Sequence, residues 1–286
     1  MTRIAVAAVF THRRPDETKP AIATLAAAAR AAGARLSFSP EETAKHRLEP
    51  SEVFMVDADG AGVDICFALG GDGTILTALR QFAGTGVPVF GVNFGEVGFL
   101  STVDREAAHE GFRRAFAGDF EVLALPGIAI GGQRPETIAM NDVSIIRRPG
   151  NRVAQLAYSV GSYEVGRVRC DGLVVSTPAG STGYNLANGG PVMAWGVEGY
   201  VVSFIAPHSL TARSLVVAPN DELVVHNLSA EEPVDVSIDG RPAGVLDAGG
   251  KLEVYFRDRQ GMLAQLQGVT FYQRLREKFG RLATVP

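Results

Sequence analysis

The sequence predicts an α+β protein in two parts. An α/β domain on a parallel sheet spans residues 1–120. An all-β, sandwich-like domain spans residues 121–261, and the tail 262–286 returns to the first part. Two patterns carry this reading. In the first part, nearly continuous apolar runs such as Val63-Asp64-Ile65-Cys66-Phe67-Ala68-Leu69 alternate with helical stretches. A strand that is apolar on both sides belongs in a parallel sheet covered on both faces. In the second part, Val234, Val236 and Ile238 alternate with Asp235, Ser237 and Asp239, and Leu252, Val254 and Phe256 with Glu253, Tyr255 and Arg257. That period of two marks half-buried antiparallel strands. A third observation locates the chemistry: Gly70-Gly71-Asp72-Gly73-Thr74 stands between a buried strand and a helix. Ligands of open α/β sheets bind at such carboxyl ends of strands.

The elements follow in order. Residues 3–10 read as the first strand. Residues 20–32 read as a helix, with Pro20 in its first turn and Gly33 as its stop signal. Residues 34–38 form a short strand, and the polar stretch 40–62 shows no usable period. The strand 63–69, the glycine loop and a helix over 75–82 come next, then a buried strand over 87–92. Asp104 is placed to cap a helix that ends near Gly118. This order is Rossmann-like. From residue 120 onward, strand runs succeed one another between turn residues, and helical character returns only at 271–279.

Composition excludes several classes. A chain of 286 residues with 46% hydrophobic and 20% charged content is globular. A net charge of −4 argues against a nucleic-acid-binding surface, so Arg113-Arg114 and Arg147-Arg148 read as solvated faces or anion contacts. No apolar run approaches the ~20 residues of a membrane span. Strand-like sequence begins at once, with nothing like a signal peptide, and the alanine-rich stretch 21–34 reads as a crossover helix. Cys66 lies in a buried strand, whereas Cys170, between Arg169 and Asp171, is expected to be more exposed. Without a CxxC pair or a Cys/His cluster there is no structural zinc site. A reduced, cytoplasmic protein fits this cysteine usage.

Three motifs carry chemistry. In the first, Asp72 sits among glycines that let a ligand approach the backbone, before a helix whose N-terminus attracts anions. The spacing is neither a Walker A loop nor GxGxxG. An acid beside a phosphate cradle suggests chemistry on a phosphorylated substrate. A second strand end, Asn93-Phe94-Gly95-Glu96-Val97-Gly98, lies on the same sheet. The second motif is the block 171–191, where an apolar strand opens into a loop of hydroxyls, glycines and amides. The third is Asn141-Asp142, which together offer donors and acceptors suited to a nucleoside. Arg169 and Asp171, spaced i, i+2, would share one face of a strand, one holding a ligand group and the other balancing charge.

Together, Gly70-Gly71-Asp72-Gly73-Thr74, residues 91–100, Asn141-Asp142, residues 176–191 and His208-Ser209-Leu210-Thr211-Ala212-Arg213 resemble the NAD kinase family over most of the chain. The first motif alone is shared with lipid kinases. The resemblance implies an α/β domain followed by a β-sandwich-like domain, and transfer of a phosphoryl group from ATP or polyphosphate to the adenosine-ribose 2′-hydroxyl of NAD. A divalent metal, Mg2+, would accompany the ATP phosphates. Asp72 would be the proton acceptor, with Gly73 against the same ribose. Asn141 and Asp142 would hold the nucleoside. Arg152, Arg169 and Asp171 fall at NAD-contact positions, and Thr182, Gly183, Tyr184, Asn185, Leu186 and Ala187 would form the loop around the dinucleotide. Arg241 falls where many members carry Gln; Ala179 and Gly183 replace the usual Thr and Ala. The family forms homodimers and homotetramers. The competing readings are a lipid or other small-molecule kinase, for which the polar loop 176–188 is a poor acceptor site, and a dinucleotide sensor, for which an intact Asp72 has no use.

Overall fold

The structure is a computed structural model that describes residues 3–57, 60, 62–95, 98–132, 137–268 and 270–280. It divides into two compact units. One comprises Met1–Ala124 with Gly261–Pro286, the other Leu125–Gln260.

The first unit is α/β. Its elements are β1 (Val6–Thr11), α1 (Pro15–Ala32), β2 (Arg35–Phe38), α2 (Pro40–His46), β3 (Phe54–Val56), β4 (Ile65–Leu69), α3 (Asp72–Gln81), β5 (Pro88–Asn93), the short β6 (Val103–Asp104) and α4 (Ala108–Phe116). The strands run parallel in the order β5-β4-β1-β2-β3. Every residue of β4 is buried, as expected of a central parallel strand. Ile65, Phe67 and Leu69 share one core with Leu25 and Ala29 of α1 and Phe112 and Ala115 of α4. Cys66 and Ala68 turn to the opposite face by the pleat, the side on which α3 buries Ile75, Ala78 and Leu79. The chain winds outward from β1 in both directions, so the strand order reverses between β1 and β4, which is where such sheets bind ligands.

Two boundaries differ from the sequence reading. α1 starts at Pro15, the residue suited to a first helical position, so Pro20 lies inside the helix rather than in its first turn. The segment 40–62 contains α2 and β3. α2 is capped by the Ser39 side chain accepting from Glu42 N, and it is too short to show a period in sequence.

The second unit holds β7 (Glu121–Ile130), which begins in the first, then β8 (Ile138–Ala139), β9 (Asp142–Arg147), β10 (Ala154–Val160), β11 (Tyr163–Cys170), β12 (Gly172–Ser176), the one-turn α5 (Tyr184–Ala187), β13 (Tyr200–Ile205), β14 (Leu215–Val217), β15 (Leu223–Asn227), β16 (Val234–Ile238), β17 (Arg241–Leu246) and the first part of β18 (Lys251–Gln265). An antiparallel sheet of order β14-β13-β12-β9-β16-β17 packs against a second one containing β11-β10-β15-β18. Val143, Leu173, Val202 and Val236 of one meet Leu156, Val168, Val225 and Val254 of the other in a single core. Cys170 faces into this core, fully buried between exposed Arg169 and half-buried Asp171, so it is not the exposed thiol expected. The last residues of β18 pair with β5, and α6 (Phe271–Phe279) completes the first unit.

Candidate active site

The glycine loop leaves the carboxyl end of β4 beside the reversal of strand order. Gly70 N donates to Val92 O at 2.9 Å, and His12 N donates to Leu69 O at 2.8 Å, so the loop is tied to both neighbouring strands. Its glycines serve different ends. A Cβ at Gly70 would collide with the Thr74 side chain, whereas one at Gly71 or Gly73 would meet nothing within 4 Å. Gly70 is thus set by packing, and Gly71 and Gly73 leave open space. No side chain caps the N-terminus of α3, which leaves N–H groups and the positive end of the helix dipole for an anion.

Asp72 is the first residue of α3. Its Oδ2 accepts from Phe99 N at 2.9 Å and its Oδ1 from Leu100 N at 3.1 Å. Gly98 lies so close that a side chain there would strike Asp72 Oδ1. The carboxylate is therefore fixed in orientation, with each oxygen keeping a further lone pair. Asn93, at the end of β5, donates to Asp104 and accepts from Gly95 N. Glu96 and Val97 of the same motif lie outside the described residues.

In the second unit, one end of the six-stranded sheet gathers Asn141, Asp142, the loop after β12 and the β16–β17 turn. Asp239, which the sequence reading passed over, organises this end. It adopts a left-handed φ of 46°, a conformation that Asp tolerates better than most residues. Its carboxylate accepts from Met140 N at 3.0 Å, Asn141 N at 2.7 Å and Asp142 N at 3.0 Å, while Asp239 N donates to Asp142 O at 2.9 Å. On the carbonyl side, Asn141 O accepts from Thr177 N at 2.9 Å and Ser176 Oγ at 3.2 Å. Gly180 packs so closely on Asn141 that only glycine fits. Asn141 Oδ1 is left buried without a partner among the described residues, an acceptor with its hydrogen bond still to make. Burial pushes the Asp142 carboxyl up to about 7, and the neighbouring Asp239 carboxylate adds to the rise. Burial, and then the nearness of Asp142, also raises Tyr184.

The loop residues have separate places. Thr182 Oγ1 bonds to Ala179 O at 3.4 Å, and Gly183, Tyr184 and Ala187 are exposed. Leu186 is half-buried. Asn185 is fully buried and donates to Ser181 O and Pro191 O, each at 2.9 Å, so it shapes the loop from inside. Arg241 opens β17 beside Asp239.

Arg152, Arg169 and Asp171 are not brought to this end. Asp142 pairs with Ser176 in the β9–β12 register, while Asp171 meets Arg147 at the other end of the same two strands. Asp142 and Arg147 are five residue steps apart on β9, about 17 Å. Asp171 lies past the end of β11, at the corner into β12, rather than on one strand face with Arg169. Its charge is balanced by Arg147, whose Nε donates at 2.6 Å and holds the carboxyl below the usual carboxylate range. Arg148 pairs with Asp235, and Arg113 and Arg114 with Glu110 and Asp119. Arg169 and Arg152 are exposed.

Comparison with known proteins adds to this geometry. A family model described as the ATP-NAD kinase N-terminal domain matches residues 25–120, and one described as the ATP-NAD kinase C-terminal domain matches residues 140–264. The chain is 37% identical over 221 residues to the NAD kinase of Symbiobacterium thermophilum, covering 76% of this chain and 78% of that one. It is 35% identical over 224 residues to the NAD kinase of Gemmatimonas aurantiaca, covering 76% and 78%. Among solved structures it is similar to yeast NADH kinase complexed with NADH, with a TM-score of 0.89 over 100% of this chain and 90% of that one. At 20% identity this is a likeness of fold. It is also similar to an NAD kinase from Archaeoglobus fulgidus in complex with ATP, with a TM-score of 0.73 and 25% identity over 96% and 97% of the two chains.

Proposed function

The chain belongs to the NAD kinase family, whose members phosphorylate NAD, and within it we propose that Asp72 takes the proton from the adenosine-ribose 2′-hydroxyl as the γ-phosphoryl of ATP is transferred to it. The observation that carries this reading is the Asp72 carboxylate, bonded by two backbone N–H groups at the uncapped start of α3. Phosphoryl transfer depends on placing the nucleophile and neutralising charge rather than on a strong base. A carboxylate fixed at both oxygens supplies the placement, and the α3 N-terminus supplies dipole and N–H groups to the phosphates. The nucleotide would arrive as its Mg2+ complex, whose cation would neutralise phosphate charge. The likeness to the ATP-bound Archaeoglobus fulgidus enzyme supports ATP as a phosphoryl donor, with polyphosphate as an alternative.

Asn141 and Asp142 hold the nucleoside, with Gly73 against the ribose. Thr182, Gly183, Tyr184, Asn185, Leu186 and Ala187 form the surrounding loop, and Arg241 flanks it. Arg152, Arg169 and Asp171 also contact NAD. Asp171 stands about 17 Å from Asp142 along the sheet, and we assign these three residues to the dinucleotide of a second copy, in a homodimer or homotetramer. Two buried free cysteines suit a reducing cytoplasm.

The test is Asp72→Asn. With ATP, Mg2+ and NAD, the formation of NADP should fall by about 10²- to 10⁴-fold, while ATP binding measured by calorimetry persists. Full activity in this variant would remove Asp72 from the reaction.

A further inference from the structure

Arg274 stands out among the charged side chains of the first unit. It lies on α6, only 7% exposed. Its Nη1 donates to Gly98 O at 3.1 Å and to Ser101 Oγ at 2.9 Å, and its Nε is buried without a partner among the described residues. Burial lowers its pKa, opposed by the charges of Asp104, Glu277 and Asp72. A guanidinium buried on two neutral acceptors carries a large desolvation penalty. The position faces the core of an amphipathic helix, where a leucine would pack at no such penalty.

What the charge touches explains its presence. Gly98 O and Phe99 N belong to one peptide group. The carbonyl end of that group accepts from Arg274, and the N–H end donates to Asp72 Oδ2 at 2.9 Å. A cation on the carbonyl polarises the peptide and strengthens its N–H as a donor. α6 grips the same segment elsewhere. Phe99 packs on Phe271 and Phe279, with ring centroids 6.1 and 5.7 Å away, and Lys278 Nζ lies 5.1 Å from the Phe99 ring. Downstream, Thr102 is stitched to Gly91 and to Ala264 O. Without Arg274, the peptide after Gly98 keeps its link to Asp72 but loses the contact that fixes its plane.

We propose that Arg274 is a positioning residue for phosphoryl transfer, through which α6 holds the 98–99 peptide and so the Asp72 carboxylate in its reactive orientation. This rests on the assignment of Asp72 as proton acceptor.

The test compares Arg274→Met and Arg274→Lys in the full-length enzyme, with melting temperatures measured alongside kinetics. R274M should lower kcat by about 10- to 100-fold and leave KM for NAD and for ATP unmoved. R274K, which keeps a cation able to reach Gly98 O, should recover most of the loss. In a D72N background, R274M should add little, because both act through one group. A folded R274M enzyme with unchanged kcat, or losses that multiply with D72N, overturns the proposal. Should R274M fail to fold, Ser101→Ala removes one of the two contacts and should give a smaller loss, also in kcat alone; an unchanged kcat there overturns it equally. A fully active D72N enzyme sinks the Asp72 assignment and this inference with it. An inactive D72N beside a normal R274M sinks this inference only.

Discussion

Asp142 shows how one residue reports its surroundings through pH. Burial first, and Asp239 second, hold its carboxyl up to about 7, against an ordinary value of 3.8. A folded pKa above the unfolded one means that the group stabilises the fold most fully below 3.8. That contribution is lost as pH rises through about 7. Asp142→Asn removes the titration. The melting temperature of the variant relative to the parent should therefore climb between about pH 4 and 7 and level off above; parallel profiles would refute the assignment. Asp239→Asn takes away the neighbouring charge and at least one of the three N–H bonds to residues 140–142. It should move the Asp142 limb of the kcat/KM profile for NAD to lower pH and raise KM. The Asn141-Asp142 pair stands out in the sequence as a candidate for holding a nucleoside. Asp239 does not, because its role depends on a turn one hundred residues away in the chain meeting the start of β9. The available hint was Asp239-Gly240, a dipeptide that favours tight turns with positive φ.

At the scale of elements, Gly91 in β5 and Gly71 at the join of β4 to α3 differ in what surrounds them. A Cβ at Gly91 would come within 2.6 Å of Ile75 Cδ1 and 3.2 Å of Ser101 Cα. Gly91→Ala should lower stability by about 1–3 kcal/mol, as overpacking does, with the denaturation midpoint as the measurement. Gly71 faces open space, so Gly71→Ala should melt with the parent and raise KM for ATP instead. A destabilised G71A enzyme with normal KM would assign that glycine to the fold. The continuous apolar strands made this part of the sheet readable. α2 was not readable, because seven residues do not establish a period. Its place is set by tertiary contacts: Thr11 Oγ1 lies 2.7 Å from both Glu42 Oε2 and His46 Nε2, at the carboxyl end of β1.

At the scale of the whole molecule, the resemblance implies which residues contact NAD but does not say whether one chain supplies them all. Linear order places Arg169 and Asp171 beside the loop 176–191, yet β12 runs between them and carries the chain to the other end of the sheet. Asn141 and Arg169 thus belong to opposite ends of one unit, and the proposal that both contact NAD predicts that two copies of the chain share the site. Mixing disabled subunits tests this directly. Arg169→Ala and Asn141→Ala homomers should each show raised KM for NAD. After subunit exchange, a mixed dimer in which one copy keeps Asn141 and the other keeps Arg169 holds one intact set of contacts and one doubly defective set. Activity at low NAD should then rise above the sum of the two separate preparations, with exchange verified by native mass spectrometry. If each chain bound NAD with its own Arg169, every site in the mixture would remain singly defective and no activity would return. Recovery would establish the assembly and the acceptor site together, because neither parent can regain affinity unless the two ends of different copies meet.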